Sequence, residues 1–310
     1  MSIPTTPLII DCDPGVDDAV MLILALTQPD LDVRAITTVA GNVPLTLTCR
    51  NARMITDLMA RPDLPVHAGC SHPMSRDSVT AEDFHGASGI SGIEPFQPQT
   101  PIAQGHAVKA IIAHARAVGP SSLTLVVTGP MTNIAYALNI APDIHANIKE
   151  LIVMGGADAA GGNITPTAEF NIFADPHAAK IVFDAELPTR VLSLDVTHQV
   201  RAEDVHLSKI DAVQSPHAKL MLNLLDAANQ LEARWKEGQR APMHDPSTLI
   251  ALLASNLFEG RRGKVCINVQ SGDHFGQTTF KPQLDGPHFW YDSVQEDAFF
   301  EAIAKRVTPS

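Results

Sequence analysis

The sequence predicts an α/β protein built on a mainly parallel open sheet with helices on both faces. Short apolar runs alternate with longer amphipathic segments from the start of the chain, and the runs are rich in β-branched residues. Polar residues recur directly after several of these runs. Such alternation is typical of parallel strands joined by helical crossovers. No repeat, linker or low-complexity tract interrupts it, so we expect residues 1–310 to form a single domain.

The composition is that of a globular protein. The chain has 310 residues, enough for one large α/β domain or two ordinary ones, and 45% of them are hydrophobic while 18% are charged. The formal net charge of −12 at pH 7 argues against a nucleic-acid partner, because nucleic-acid binding requires a basic surface. The acidity is compatible with binding cations or neutral small molecules.

The sequence predicts a cytoplasmic protein without a membrane partner. The N-terminal residues lack the basic and apolar regions of a signal peptide, and no apolar run approaches the roughly 20 residues that a membrane span needs. Cys12, Cys49, Cys70 and Cys266 show no CxxC spacing, which favours buried free thiols in a reducing compartment.

The first predicted strand, residues 8–10, leads directly into an acidic stretch at residues 11–18. A Pro-Gly pair favours a turn there, and residues 17–26 have the apolar content of a buried helix. Asp13 would therefore lie at the carboxyl end of a strand. In open α/β sheets this is the crevice in which ligands bind.

The remaining elements continue the alternation. Further strands are predicted at residues 33–39, 65–69, 123–127, 151–154 and 189–194, and a late hairpin at residues 264–269 and 277–280. Further helices are predicted at residues 45–59, 104–118, 132–138 (capped by Thr132), 220–236, 246–254 and 294–305. Residues 71–100 have little periodicity, and a loop of that length inside a domain is more often functional than idle.

Four carboxylates lie within eight positions, at Asp11, Asp13, Asp17 and Asp18. Their mutual repulsion favours a cation between them, and a hard divalent ion with oxygen ligands is the simplest candidate. Turns and first helical turns explain one or two of these residues without a ligand. An EF-hand does not fit, because the last ligand of that loop should be Glu and Leu22 stands there.

Other polar residues follow predicted strand ends elsewhere in the chain. Taken singly, each is explained by a turn, a strand terminus or a helix cap. A doubly wound sheet gathers strand ends at one edge, so together with the acidic stretch they predict a shared pocket. They are Asn42, Thr128, Asn163, Glu169, Asn171 and Asp245.

These motifs resemble, in order, those of the inosine-uridine-preferring nucleoside hydrolases. Residues 11–19 are similar to the N-terminal signature, residues 38–42 to the second motif, residues 127–135 to the third, and residues 154–156 begin the fourth. The sugar-binding stretch is matched by Asn163 with Glu169-Phe170-Asn171, and the late acidic motif by His244-Asp245-Pro246. The resemblance covers nearly the whole chain and implies a Rossmann-like nucleoside hydrolase fold.

The resemblance also implies a reaction and a cofactor, the Ca²⁺-dependent hydrolysis of ribonucleosides to ribose and free nucleobase. The implied calcium ligands are Asp13, Asp18, Asp245 and the backbone carbonyl of Thr128. The implied ribose-binding residues are Asp17, Asn42, Asn163, Glu169 and Asn171, with Phe170 in the same stretch. A homodimer or homotetramer is expected.

The implied chemistry agrees with these residue types. Cleavage of the ribosyl C–N bond develops oxocarbenium character at C1′, and the base accumulates negative charge. Calcium would position a water and lower its pKa, and Asp13 would take its proton as the catalytic base. His85 and His244 are the candidates that bind the departing base and protonate it or hydrogen-bond to it.

The chain departs from the family pattern on the base side. Tyrosines often precede the His-Asp motif in the family, whereas residues 231–235 read Leu-Glu-Ala-Arg-Trp here. Ala87 stands where an acidic residue is common. These departures leave the preferred nucleobase open.

Two alternative functions compete with the hydrolase. A phosphohydrolase of the haloacid-dehalogenase type would use Asp11 as nucleophile and Asp13 as acid, but it needs a phosphate-binding Lys or Arg and gives Asn163, Glu169 and Asn171 no role. A calcium-dependent nucleoside-binding protein would keep the metal and ribose residues and release no sugar.

Overall fold

A computed structural model of the protein describes residues 6–82, 86 and 88–308. The strands over these residues are β1 (Thr6–Cys12), β2 (Leu31–Thr38), β3 (Val66–Ala68), β4 (Leu123–Val127), β5 (Ile148–Met154), β6 (Thr189–Leu192), β7 (Phe258–Ile267), β8 (Thr278–Pro282) and β9 (His288–Val294). They form one sheet in the order β3-β2-β1-β4-β5-β6-β9-β7-β8.

Along the chain, most helices connect one strand to the next, and the last helix follows β9. They are α1 (Val16–Leu26), α2 (Leu45–Leu58), α3 (Ala107–Ala117), α4 (Thr132–Ile140), α5 (Phe170–Ala174), α6 (Pro176–Asp184), α7 (Leu194–Thr197), α8 (Asp204–Asp211), α9 (Pro216–Trp235), α10 (Pro246–Leu253) and α11 (Glu296–Arg306). Two short 3₁₀ helices cover Pro142–Asn147 and Ser255–Leu257. None of the helices in the described part of the chain is long and apolar enough to cross a membrane.

The sheet is parallel from β3 through β9 and ends in two antiparallel pairings, β9 with β7 and β7 with β8. The strand order reverses at β1, which lies between β2 and β4. In an open parallel sheet the crevice beyond the carboxyl ends of strands at such a reversal is the usual ligand site. The residues that follow β1 and β4 are therefore the best placed to contact a ligand.

Alternate residues of the central strands point to opposite faces of the sheet, and each face is covered by helices. On β1, Leu8 and Ile10 pack into a core with α1, α2, α9, α10 and α11, while Ile9 packs into the core that holds α3, α4 and α6. All three side chains are fully buried. Burial of a side chain of this size stabilises the fold by roughly 1.5–3 kcal/mol.

The predicted fold class is confirmed, and β1 to β6 lie where they were predicted to within a few residues. The late hairpin is also present, although β7 begins six residues earlier than predicted, and β9 was not predicted. The helix predicted at residues 294–305 began too early, because Val294 is the last residue of β9 and pairs with Phe258. Thr132 does not cap α4; its hydroxyl donates to Asp175 instead. All four cysteines are free, but only Cys12 and Cys49 are fully buried.

Candidate active site

The connection between β1 and α1 is only three residues long and places three carboxylates at the reversal point of the sheet. Asp13 follows the last residue of β1, and Asp17 and Asp18 lie in the first turn of α1, where the helix dipole favours negative charge. Oδ2 of Asp18 accepts the N–H of Gly15 at 3.0 Å, which closes this turn. The backbone therefore holds the carboxylates in fixed positions.

Three carboxylates from two distant parts of the chain converge here. Asp17, Asp18 and Asp245 each place one oxygen within 4.8 Å of the others. Asp18 and Asp245 are buried. Asp245 precedes α10 at the capping position, yet its carboxylate makes no capping hydrogen bond. Helix capping therefore does not explain Asp245.

Asp13 also belongs to the acidic site. One of its carboxylate oxygens accepts a hydrogen bond and, among the described residues, the other accepts none. Its side chain is fully buried, and Oδ2 accepts the N–H of Asn42 at 2.6 Å. Within the described residues, Oδ1 of Asp13 and Oδ1 of Asp17 are buried and have no hydrogen-bond partner. Buried carboxylate oxygens without a partner are costly unless a cation binds them. These residues therefore fit a hard, oxygen-liganded metal ion.

The electrostatics of the site favour the same ion. Burial raises the pKa of Asp13 and of Asp245 well above the ordinary range, and the charges of Asp18 and Asp17 raise them further. Burial, followed by the charge of Asp17, raises the pKa of Asp18 to about 7. Both causes disfavour the ionised forms, and both are relieved when a divalent cation lies between the carboxylates.

Asn42 and Asn171 tie the acidic residues to their neighbours. Nδ2 of Asn42 donates to the backbone carbonyl of Asp13 at 3.1 Å and to Oδ2 of Asp18 at 3.3 Å. Nδ2 of Asn171 donates to the carbonyl of Thr128 at 2.9 Å, and the Thr128 hydroxyl donates to Oδ1 of Asp18 at 2.8 Å. The structure thus brings these three predicted residues beside the carboxylates.

The predicted sugar-binding stretch forms the start of α5. Glu169 caps this helix; Oε1 accepts the N–H of Asn171 at 2.8 Å, and Oε2 accepts those of Gly156 and Ile172 at 2.9 and 3.1 Å. Burial raises the pKa of the Glu169 carboxyl. Oδ1 of Asn163 accepts the N–H of the buried Phe170 at 2.9 Å, which fixes the approach to the helix.

His244, next to Asp245, lies against two residues that sequence reasoning missed. Its Nδ1 is 2.8 Å from Oγ1 of the buried Thr197, and its ring centroid is 5.6 Å from that of His198. Thr197 lies just beyond the predicted strand 189–194, in the same kind of position that identified the other site residues. His85 lies outside the described residues.

Asp11 does not belong to the acidic site. Its Oδ1 accepts hydrogen bonds from the Thr37 hydroxyl at 2.5 Å and from Nδ2 of Asn133 at 2.8 Å, and the side chain is fully buried. Burial raises its pKa to about 7. A buried carboxyl held between two neutral partners is a poor nucleophile, so the arrangement disfavours the phosphohydrolase.

A doubly wound sheet with a carboxylate cluster and amide groups at its reversal point is suited to an enzyme that binds a hard cation beside a polar substrate. Comparison with known proteins makes the class specific. Residues 8–301 match the family model of the inosine-uridine preferring nucleoside hydrolases. The chain therefore belongs to this family and is an enzyme that acts on N-glycosyl compounds; the predicted family is confirmed, and the phosphohydrolase alternative is wrong.

Individual relatives agree with this membership. The chain is 44% identical over 284 residues to the pyrimidine-specific ribonucleoside hydrolase RihA of Shewanella sp. (strain MR-7), a match that covers 90% of this chain and 88% of the relative. A plant nucleoside hydrolase superposes with a TM-score of 0.91 at 28% identity, covering 99% and 100% of the two chains. The purine-preferring ribonucleoside hydrolase from Gardnerella vaginalis superposes with a TM-score of 0.89 at 29% identity, and the match covers 97% of this chain and 98% of that chain.

Proposed function

We propose that this enzyme hydrolyses ribonucleosides at a Ca²⁺ site formed by Asp13, Asp18, Asp245 and the carbonyl of Thr128. The observation that carries the proposal is the convergence of carboxylates beside amide groups suited to a sugar; two of the carboxylates have buried oxygens without a hydrogen-bond partner among the described residues. An all-oxygen donor set of carboxylates and a carbonyl suits Ca²⁺, which accepts six to eight such ligands in flexible geometry. Asp17, assigned to ribose from the sequence, has an oxygen close enough to share this site.

Asp13 acts as the general base. When bound, Ca²⁺ would attract the ribose hydroxyls and lower the pKa of a coordinated water. The N–H of Asn42 holds Oδ2 of Asp13, so Oδ1 is the oxygen that takes the proton of the attacking water. The water oxygen forms the new bond at C1′, and the electron pair of the broken C–N bond leaves with the base.

The ribose is held by Asn42, Asn163, Glu169 and Asn171. A carboxylate offers about four acceptor positions, and backbone N–H groups use three of those of Glu169. The remaining position can accept a hydrogen bond from a ribose hydroxyl. The negative charge of Glu169 also favours the positive charge that develops on the sugar in the transition state.

His244 and His85 serve the departing base. His244 donates a hydrogen bond to the base as negative charge accumulates on it, and the released base takes its proton from solvent. Pyrimidine ribonucleosides are the proposed substrates, because the relative that shares 44% identity is named for them, whereas the purine-preferring structure shares 29%.

The decisive experiment measures ribose release from uridine, cytidine, inosine and their 2′-deoxy forms, before and after chelation and again after addition of Ca²⁺ or Mg²⁺. We expect release from uridine or cytidine that is lost on chelation and restored by Ca²⁺, with the deoxynucleosides much slower because ribose-binding groups lose partners. Asp13→Asn should lower kcat by roughly 10² or more. Tight nucleoside binding without ribose release would instead establish the binding protein.

The remaining assignments stay predictions from the sequence. We propose that residues 1–310 form one domain, that the enzyme is a homodimer or homotetramer, and that it acts in the cytoplasm. Light scattering of the purified protein measures the assembly, and a single cooperative unfolding transition would support one domain.

A further inference from the structure

The four-residue helix α7 links the two halves of the candidate site. At its first turn, the carboxylate of Asp195 accepts the backbone N–H groups of Asp158, Ala159 and Ala160 at 2.7–2.9 Å. The N–H of Leu194 also donates to the carbonyl of Gly156 at 2.9 Å. Helix α7 is therefore fastened to the loop that precedes the sugar-binding stretch.

That loop is itself fastened to the ribose side. The N–H of Gly156 donates to Oε2 of Glu169 at 2.9 Å. Hydrogen bonds thus run without interruption from Glu169 through Gly156 to α7. The last residue of α7, Thr197, continues them to Nδ1 of His244 at 2.8 Å. Helix α7 therefore connects His244 to the residues on the sugar side through hydrogen bonds.

The Thr197 hydroxyl also determines which ring nitrogen of His244 carries hydrogen. Oγ1 of Thr197 is fully buried, and among the described residues its one hydrogen-bonding neighbour is Nδ1 of His244. If Nδ1 carried the hydrogen, the hydroxyl proton would be buried without an acceptor, at a cost of about 1–3 kcal/mol. The stable arrangement has the hydroxyl donating to Nδ1, which leaves the hydrogen of the neutral ring on Nε2.

We propose that Thr197 is a positioning residue for the nucleobase end of the site: its hydroxyl orients the His244 imidazole with hydrogen on Nε2 and thereby directs a donor at the departing base. The proposal rests on the proposed function for the identity of the departing group. Thr197 does not touch the substrate; its effect passes through the imidazole.

The kinetic test compares Thr197→Val, which keeps the shape of the side chain and removes the hydroxyl, with Thr197→Ser, which keeps the hydroxyl. Thr197→Val should lower kcat for the nucleoside that the wild type hydrolyses by about 10-fold, the loss expected for one ordering hydrogen bond, with KM nearly unchanged. Thr197→Ser should stay within about two-fold of the wild type, because its hydroxyl can make the same bond. Nitrophenyl riboside, whose anion departs without help, should be hydrolysed at similar rates by all three proteins.

A control variant separates this effect from general damage. Thr56 is also fully buried, and its hydroxyl donates to a helical carbonyl, that of Arg53, at 2.8 Å. Thr56→Val removes the same hydroxyl group in the last turn of α2, and it should leave kcat unchanged for both the nucleoside and nitrophenyl riboside. Equal slowing of both substrates in Thr197→Val, or a Thr197→Ser variant as slow as Thr197→Val, would overturn the positioning role.

A spectroscopic arm is independent of turnover. Proton–nitrogen correlation NMR of labelled histidine distinguishes the two neutral tautomers, and His244→Ala identifies the resonance of His244. We expect hydrogen on Nε2 in the wild type and in Thr197→Ser, and a shift toward Nδ1 in Thr197→Val. An unchanged tautomer in Thr197→Val refutes the proposal. If the wild type released no ribose, the proposed function would fail, and the tautomer would still decide the assignment of Thr197.

Discussion

At the scale of single residues, Asp13 is confined by glycines on both sides of its carboxylate. A Cβ built on Gly41 would collide with Oδ2 of Asp13, and one on Gly129 would lie 2.7 Å from Oδ1. Neither glycine needs a positive φ, so the reason for each is close approach rather than backbone freedom. The second and third sequence motifs therefore carry glycine because Asp13 occupies the space of their side chains.

Gly129→Ala should consequently disable catalysis while the fold survives. The new methyl group would displace Oδ1, the proposed base, and misplacement of a reacting group by about 1 Å costs roughly 10²-fold in rate. The expected result is a loss of that order in kcat for ribonucleosides. Gly119→Ala is the matched control, because its Cβ would meet nothing closer than Oγ of Ser122 at 3.5 Å. A Gly129→Ala enzyme with wild-type kcat would show that Asp13 is not the base.

Much of the candidate site could be predicted from sequence because its residues follow strand ends. Asp13 and Thr128 were identified that way, and the fold brings them to adjacent strands. Asp245 was also expected to follow a strand end, but helix α9 and a loop precede it. Thr197 escaped because a single threonine beyond a strand carries no signal until its partner is known. Asp11 and Asp13 look equivalent in sequence, and only the hydrogen bonds of Thr37 and Asn133 distinguish them.

At the scale of elements, α2 holds the acidic turn between β1 and α1 in place. Nδ2 of the fully buried Asn51 donates to the carbonyl of Pro14 and to that of Ser88, both at 3.0 Å. Nη2 of Arg50 donates to the same Ser88 carbonyl at 2.9 Å. One amide group thus joins α2, the turn between β1 and α1, and the loop that includes Ser88.

Asn51→Ala should destabilise the protein and loosen this turn. It leaves the buried carbonyl of Pro14 without its side-chain donor, a loss of about 1–3 kcal/mol in the free energy of unfolding. Urea denaturation measures this loss, and calorimetry should show weaker Ca²⁺ binding in the same variant. Asn139→Ala, on the exposed end of α4, is the control and should stay within about 0.5 kcal/mol. If the two variants had equal free energies of unfolding, the hydrogen bond from Asn51 to Pro14 would not stabilise the turn.

Two of the elements that sequence reasoning missed, α7 and β9, have short or unusual patterns. Helix α7 is a single turn of four residues, too short to show a helical period. Strand β9 carries His288 at its buried start and inserts between β6 and β7, so its place depends on pairings with residues distant in the chain. Strand order of this kind depends on the packing of the whole sheet and cannot be predicted from any single segment of the sequence.

At the scale of the whole molecule, the acidic site should make stability depend on the metal. Asp13 and Asp18 lie at the connection between β1 and α1, and Asp245 lies before α10. These carboxylates repel one another when ionised, so a cation that binds only the folded state stabilises it. Ca²⁺ at about 100 times its Kd should add about 2.7 kcal/mol to the free energy of unfolding. Differential scanning calorimetry with and without Ca²⁺ measures this, and Asp245→Ala should lose most of the gain. An unchanged Tm in saturating Ca²⁺ would exclude the site.

The acid sensitivity of the fold should arise in part at the antiparallel edge of the sheet, around His288. This side chain is fully buried at the start of β9, where Nδ1 accepts the N–H of Val265 on β7 at 2.8 Å and the ring packs edge-on against Phe183 of α6. Burial lowers the pKa of His288 to about 4. Protonation would place a hydrogen on Nδ1, directly opposite the Val265 donor, and bury a charge among apolar groups.

The sign of the pH dependence follows from the two pKa values. In the unfolded chain His288 has the ordinary pKa of about 6.5, so between about pH 6.5 and 4 the unfolded state binds a proton that the folded state does not. Its contribution to stability is full above pH 6.5 and is lost as the pH falls through this window. His288→Gln, which retains an acceptor for Val265 and cannot titrate, should show a shallower fall of the free energy of unfolding between pH 7 and pH 4.5. His274→Gln changes an exposed histidine and should retain the wild-type slope, whereas identical slopes in wild type and His288→Gln would mean that His288 does not control acid stability.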